Sequence, residues 1–104
     1  MIRQFDVIPN PSARSRPVVP YVVVVQSHLY DEGPTLLVAP LMRMPDAALL
    51  SEVSLKVHFL DEPLILMLSE LGAIDRQSNF RPLGSLVAYE DDIRRAIDRL
   101  FTGF

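Results

Sequence analysis

Residues 84–104 read GSLVAYEDDIRRAIDRLFTGF. Leu86, Tyr89, Ile93, Ala96, Ile97, Leu100 and Phe104 recur at steps of three and four, which is one face of an amphipathic helix. Ser85 is positioned to cap its start. Glu90, Asp91 and Asp92 fall in the first half and Arg94, Arg95 and Arg99 in the second, an order that complements the helix dipole at both ends. A lone helix of this length is marginal in water, so its apolar stripe must find an apolar surface elsewhere in the chain. Beyond the last arginine the sequence stays apolar, as Leu-Phe-Thr-Gly-Phe. Such an end is buried within the protomer, buried between subunits, or offered to a partner.

The surface for the helix comes from strands. Residues 21–41 read YVVVVQSHLYDEGPTLLVAPL. This predicts apolar strands at 21–26 and 35–39, joined through Asp31-Glu32-Gly33-Pro34 as an antiparallel hairpin or meander. Residues 4–8 predict a short first strand. Residues 9–20 hold four of the nine prolines together with Arg14 and Arg16. Prolines at that density cannot continue a central strand, so an exposed loop or hairpin arm is expected there. Residues 42–50 predict a loop or one helical turn, residues 54–60 a strand and residues 64–71 another; residues 70–80 carry little pattern. The expected fold is mainly β with a C-terminal α-helix, a twisted antiparallel sheet or small barrel closed by that helix.

Residues 1–104 read as a single domain, and 49% apolar content suffices for one core. A subunit interface would add to a core of this size, and a homodimer is expected. There is no cysteine, which excludes disulfides and thiolate metal sites. The first residues lack an apolar signal core, and no apolar run approaches the ~20 residues that span a bilayer; a cytoplasmic protein without a membrane segment is expected. A net charge of −3 argues against broad binding to a phosphate backbone.

Catalytic chemistry finds little support. His28 and His58 are the only histidines. His58 lies between Val57 and Phe59, so strand alternation turns it away from both, as expected of a surface histidine rather than a general base. Ser27 beside His28 is no triad, because adjacent strand residues face opposite ways. The glycines form no phosphate loop. No catalytic residue, metal ligand or cofactor is assigned. On the helix, acids and arginines interleave, which predicts a solvated, salt-bridged face rather than a basic patch. Arg14 and Arg16 are either ordinary exposed arginines or partners for acidic residues of another protein.

Several features occur in an order that resembles one family. They are Gln26-Ser27 after a valine-rich strand, Asp31 in the turn, Pro40-Leu41, Val57-His58 in a strand, Asp92-Ile93 followed by Ala96-Ile97, and Phe101-x-Gly103-x. Together they resemble the CcdB family of plasmid-maintenance toxins over nearly the whole chain. The resemblance implies an SH3-like β-barrel with a C-terminal helix, a homodimer, and a toxin of a type II toxin–antitoxin system with no enzymatic activity. Its implied partners are the A subunit of DNA gyrase, trapped with its DNA cleaved, and a CcdA-like antitoxin that folds a disordered segment along the toxin.

The gyrase-binding residues implied by the resemblance are Leu29, Tyr30, Asp98, Phe101, Thr102, Gly103 and Phe104. Arg14 and Arg16 are the candidates for antitoxin binding. The best-known member has tryptophan where this chain has Thr102, isoleucine at Phe104, asparagine at Asp98 and an aliphatic residue at Tyr30. A tryptophan stacked on an arginine contributes roughly 0.5–2 kcal/mol. Without it, either the target differs, or Phe104 and Tyr30 supply the aromatic contact, or the toxin is weak. Two alternatives stand beside this reading: a non-toxic homologue whose apolar end only closes a dimer, and a MazF-like ribonuclease.

Overall fold

The computed structural model describes residues 2–27, 29, 33–43 and 53–103. Among these described residues, seven strands and one helix follow in chain order: β1 Asp6–Pro9, β2 Tyr21–Val24, β3 Thr35–Arg43, β4 Ser54–Phe59, β5 Glu62–Met67, β6 Gly72–Asp75, β7 Gly84–Ser85 and α1 Glu90–Thr102. Short 3₁₀ turns at Leu68–Glu70 and Val87–Tyr89 precede β6 and α1. The sheet is antiparallel, ordered β4-β5-β3-β2-β1-β7, with β6 also on β3. It curls into a half-barrel around α1, so the expected β architecture with a closing helix is what the chain forms.

The valine run follows from where β2 lies. Val23 and Val25 join a cluster with Val7, Leu41, Leu64, Leu66, Leu86 and Ile93 on the concave side. Val22 and Val24 join Ile8, Leu36 and Val38 in a second cluster. Alternate residues of a strand face opposite ways, so β2 is buried on both faces and has no solvent side to keep polar. The expected pairing of residues 21–26 with 35–39 is present, with Val22 opposite Pro40 and Val24 opposite Val38.

β3 runs four residues further than expected, through Pro40 to Arg43. Pro40 is tolerated because β3 changes neighbour there: Thr35–Val38 pair with β6, and Leu41–Arg43 pair with β5. Of the expected loop at 42–50, Met42 and Arg43 are strand; the remainder lies outside the described residues. The predicted strand at 64–71 ends earlier, where Leu68 turns into the core as part of the 3₁₀ turn. The unreadable stretch at 70–80 supplies β6. The β4–β5 connection is a two-residue turn, Leu60-Asp61, with φ of 51° and 62°. Two positive φ values are those of the hairpin turn whose twist matches the strands, here built without glycine.

Three contacts close the half-barrel. Phe59 packs edge-on against Tyr21, with ring centroids 5.3 Å apart. It also lies against Gly84, where an added Cβ would stand 2.7 Å from the Phe59 ring. Beside it, the His58 amide donates to the Tyr89 hydroxyl at 3.1 Å. Since β4 and β7 are the two ends of the strand order, the contact of Phe59 with Gly84 joins the sheet's opposite edges. Phe5 locks the same region. It is buried at φ 71°, its amide donates to the Val24 carbonyl at 2.6 Å, and its carbonyl accepts from the Leu86 amide at 2.8 Å. A bulky side chain keeps that backbone conformation only where its surroundings over-determine it.

Gly84→Ala should therefore destabilise the protein by about 1–3 kcal/mol through overpacking against Phe59. Urea unfolding checks this. In a Phe59→Leu background the penalty for the same change should shrink, and an equal penalty in both backgrounds would place the strain elsewhere.

Candidate functional site

The candidate site is the outer end of α1. The helix opens with Glu90, Asp91 and Asp92 and has Arg99 in its last turn. Its N-terminus differs from expectation in one respect. The Ser85 hydroxyl accepts from the Val87 amide at 3.1 Å, two residues along, so it supports the 3₁₀ turn and does not cap α1. The mixed charged face is as expected, with Arg94 bonded to Glu90 at 2.9 Å and Arg95 to Asp92 at 3.4 Å. These exposed pairs contribute a few tenths of a kcal/mol. Leu86, Ile93 and Ala96 are buried, and Tyr89 and Ile97 pack at the edge of the same cluster.

Phe101 departs from that stripe and is 71% exposed. One residue on, the Thr102 hydroxyl donates to the Asp98 carbonyl at 2.6 Å, so this side chain turns back on its own helix. Gly103 then ends the helix at φ 78°, its amide donating to the Arg99 carbonyl at 2.9 Å. A glycine at this left-handed position is the common helix stop. Asp98 lines a shallow groove with Gln4, Phe5, Val25, Arg94 and Ile97. There the Arg94 guanidinium sits 5.6 Å from the centre of the Phe5 ring.

That groove places Asp98 beside the end of β2. The chain leaves β2 through Gln26, whose side-chain oxygen accepts from the Leu37 amide at 3.1 Å, and Ser27, whose hydroxyl accepts from the Leu29 amide at 3.2 Å. Leu29, 78% exposed, is therefore held on the loop that starts at this end of the sheet. Asp98, Phe101, Thr102 and Gly103 share one end of one helix. Tyr30 and Phe104, the other two residues assigned to this set, lie outside the described residues, as do His28 and Asp31.

Arg14 and Arg16 lie in the exposed loop between β1 and β2, as expected. The loop is folded on itself: the Asn10 side-chain amide donates to the Ser15 hydroxyl and the Val19 carbonyl, both at 2.8 Å, and Arg16 Nε donates to the Asn10 carbonyl at 2.6 Å. It occupies the opposite end of β1 from the groove at Gln4 and Asp98, so the structure separates the two arginines from the helix end.

His58 is exposed on β4, between buried Val57 and Phe59, as alternation requires. Among the described residues, no group of three His, Cys, Asp or Glu is placed to hold a metal ion, and no helix is long and apolar enough to cross a membrane. Sequence reasoning missed Phe80 and Arg81, which line a groove with Arg16. Their one legible signal is a second arginine-bearing segment, 76–82, which ends in Pro82.

The described residues thus form a curled antiparallel half-barrel closed by one helix, with an exposed aromatic at the helix end. The family model described as CcdB protein matches residues 4–103, and the chain belongs to the CcdB family. Comparison with curated proteins gives no match. Membership of the family points to a toxin of a toxin–antitoxin pair.

If Phe101 serves recognition and not the core, Phe101→Ala should change stability by no more than about 0.5 kcal/mol. Ile93→Ala, eight residues earlier on the buried face, should cost about 2–5 kcal/mol. Denaturant unfolding of both variants separates the two roles, and a loss at Phe101 comparable to that at Ile93 would make the helix end structural.

Proposed function

We propose that this chain is the toxin of a type II toxin–antitoxin pair, which acts by binding the A subunit of DNA gyrase through the end of α1 and is neutralised by a CcdA-like antitoxin. The observation that carries the reading is Phe101. It is a large aromatic left exposed on a helix whose other large apolar residues are buried or half-buried. Exposed aromatics anchored on a rigid element carry a disproportionate share of binding energy at protein interfaces. Gly103 adds close backbone approach, and Asp98 and Leu29 stand at the same end of the molecule.

The proposed mechanism is binding without covalent chemistry. The helix is fixed by Leu86, Ile93 and Ala96, so its end meets a target with little ordering cost. Thr102 has no ring to stack, and its hydroxyl is turned back onto the Asp98 carbonyl. Phe101, and in our proposal Phe104 and Tyr30, therefore supply the aromatic contact that tryptophan supplies in the best-known member. Bound in this way, the toxin holds gyrase with its DNA cleaved. The working form is a homodimer in the cytoplasm.

Deleting residues 102–104 should abolish growth arrest on induction and binding to the gyrase A-subunit dimerisation region in pull-down, while the melting transition survives. Thr102→Trp should tighten gyrase binding by about 0.5–2 kcal/mol in calorimetry. A truncated protein that folds and still arrests growth would overturn the reading; one that unfolds would make the helix end part of the core.

Sedimentation at micromolar concentration should give a species of twice the 11.7 kDa chain mass. A single 11.7 kDa species would exclude the dimer.

A further inference from the structure

The groove between the β1–β2 loop and the segment before β7 lies away from the helix end. It holds about 310 Å³ and is lined by Pro9, Pro11, Phe80 and Leu83 on its apolar walls and by Arg16 and Arg81. Among the described residues, no carboxylate lines it. Both arginines are tethered through part of their guanidinium groups. Arg16 Nε donates to the Asn10 carbonyl at 2.6 Å, and one terminal Arg81 nitrogen donates to the Ser78 and Phe80 carbonyls, both at 3.0 Å. Neither forms an ion pair among the described residues, whereas Arg43, Arg94 and Arg95 do. In a chain of net charge −3, two arginines have thus been gathered on one apolar cleft without a neutralising acid.

We propose that this groove binds a peptide segment of a partner protein that carries a carboxylate next to an apolar side chain. The carboxylate is held by the remaining guanidinium N–H groups of Arg16 and Arg81. Planar guanidinium forks suit that oxygen pair, and each such bond is stronger than a neutral one. Tethering by carbonyls removes much of the rotamer freedom that binding would otherwise have to freeze. The apolar neighbour packs against half-buried Phe80 and against Leu83, which is 45% exposed. The volume suits one or two side chains. Two cations on an acidic chain are too few for tracking along a phosphate backbone, so a peptide is favoured over nucleic acid.

The groove is independent of the gyrase reading, since it lies at the other end of β1, and its test needs no toxicity. The probe is a rhodamine-labelled octapeptide of alternating glutamate and leucine, titrated against the intact protein by fluorescence anisotropy at low salt. Its lysine–leucine counterpart and an oligothymidylate serve as competitors. The acidic peptide should bind, its affinity should fall with added salt, and perturbed backbone amide resonances should centre on Phe80 and Leu83. Arg81→Gln should weaken binding about fivefold or more with an unchanged melting transition. Phe80→Ala should weaken binding without altering the salt dependence. Absence of binding, unchanged affinity in folded Arg81→Gln, resonance shifts confined to α1, or stronger competition by the oligonucleotide would each overturn the proposal. Should Arg81→Gln not fold, Arg81→Lys decides: it keeps the charge but loses the fork, and equal affinity there would overturn recognition through the guanidinium fork.

Discussion

Phe59 stands where the two ends of the sheet meet, and most of the architecture depends on that meeting. An open antiparallel sheet of this size exposes one face and two edges. Here the last residue of β4 lies on the first residue of β7, and the ring of Tyr21 packs against it from β2. Only a glycine at position 84 allows the approach. Once the edges are joined, the concave face becomes an enclosed trough lined by Val7, Val23, Leu41, Leu64 and Leu66, and among the described residues the element that fills it is α1. The Tyr89 hydroxyl then takes an edge amide of β4 that would otherwise face solvent.

Closing the trough also fixes what is left outside it. Ile93 and Ala96 lie in the cluster and Ile97 at its edge, so the helix cannot rotate to bury Phe101 as well. The exposed aromatic is a consequence of helical geometry: at about 100° per residue, position 101 lies well off the line through 93, 96 and 97. Phe5 contributes from the other side. Its left-handed backbone joins β2 to the approach to α1, and its ring receives the Arg94 guanidinium. The helix end is thereby seated at the end of β2 where Asp98 and Val25 share a groove.

Elements with a strong period were legible in the sequence. The stripe on α1, the pairing of the valine strand with β3, and the outward placement of His58 all follow from side-chain alternation. The misread segments are those in which tertiary contacts overrule local pattern. Pro40 marked a strand end by local rule, but it lies at the gap between two neighbours of β3 and the strand continues. Leu64–Leu68 offered an unbroken apolar run, yet Leu68 enters the core through a turn. The left-handed Phe5, Leu60 and Asp61 carry no glycine or asparagine to announce them. As for the sites, the helix end was legible through its composition. The groove was not, because Arg16 and Arg81 are 65 positions apart and only the β1–β7 pairing brings their segments together.

The helix end explains how a chain with threonine in place of a stacking aromatic can still present one. Threonine as the last residue of the helix closes its hydroxyl on the carbonyl four residues back, and the glycine that follows stops the helix in the left-handed conformation. Both effects shorten the reach of position 102 and make position 101 the outermost large side chain of the described helix. A tryptophan at 102 would have no hydroxyl to fold back and would project next to Phe101, giving two adjacent aromatics where this chain has one. Under the proposed gyrase reading, the aromatic contact comes from a position one residue earlier, roughly 100° around the helix. A target surface that accepts the aromatic from position 101 has to be complementary to that altered direction. Specificity among members of the family can then differ while the half-barrel that carries the helix stays the same.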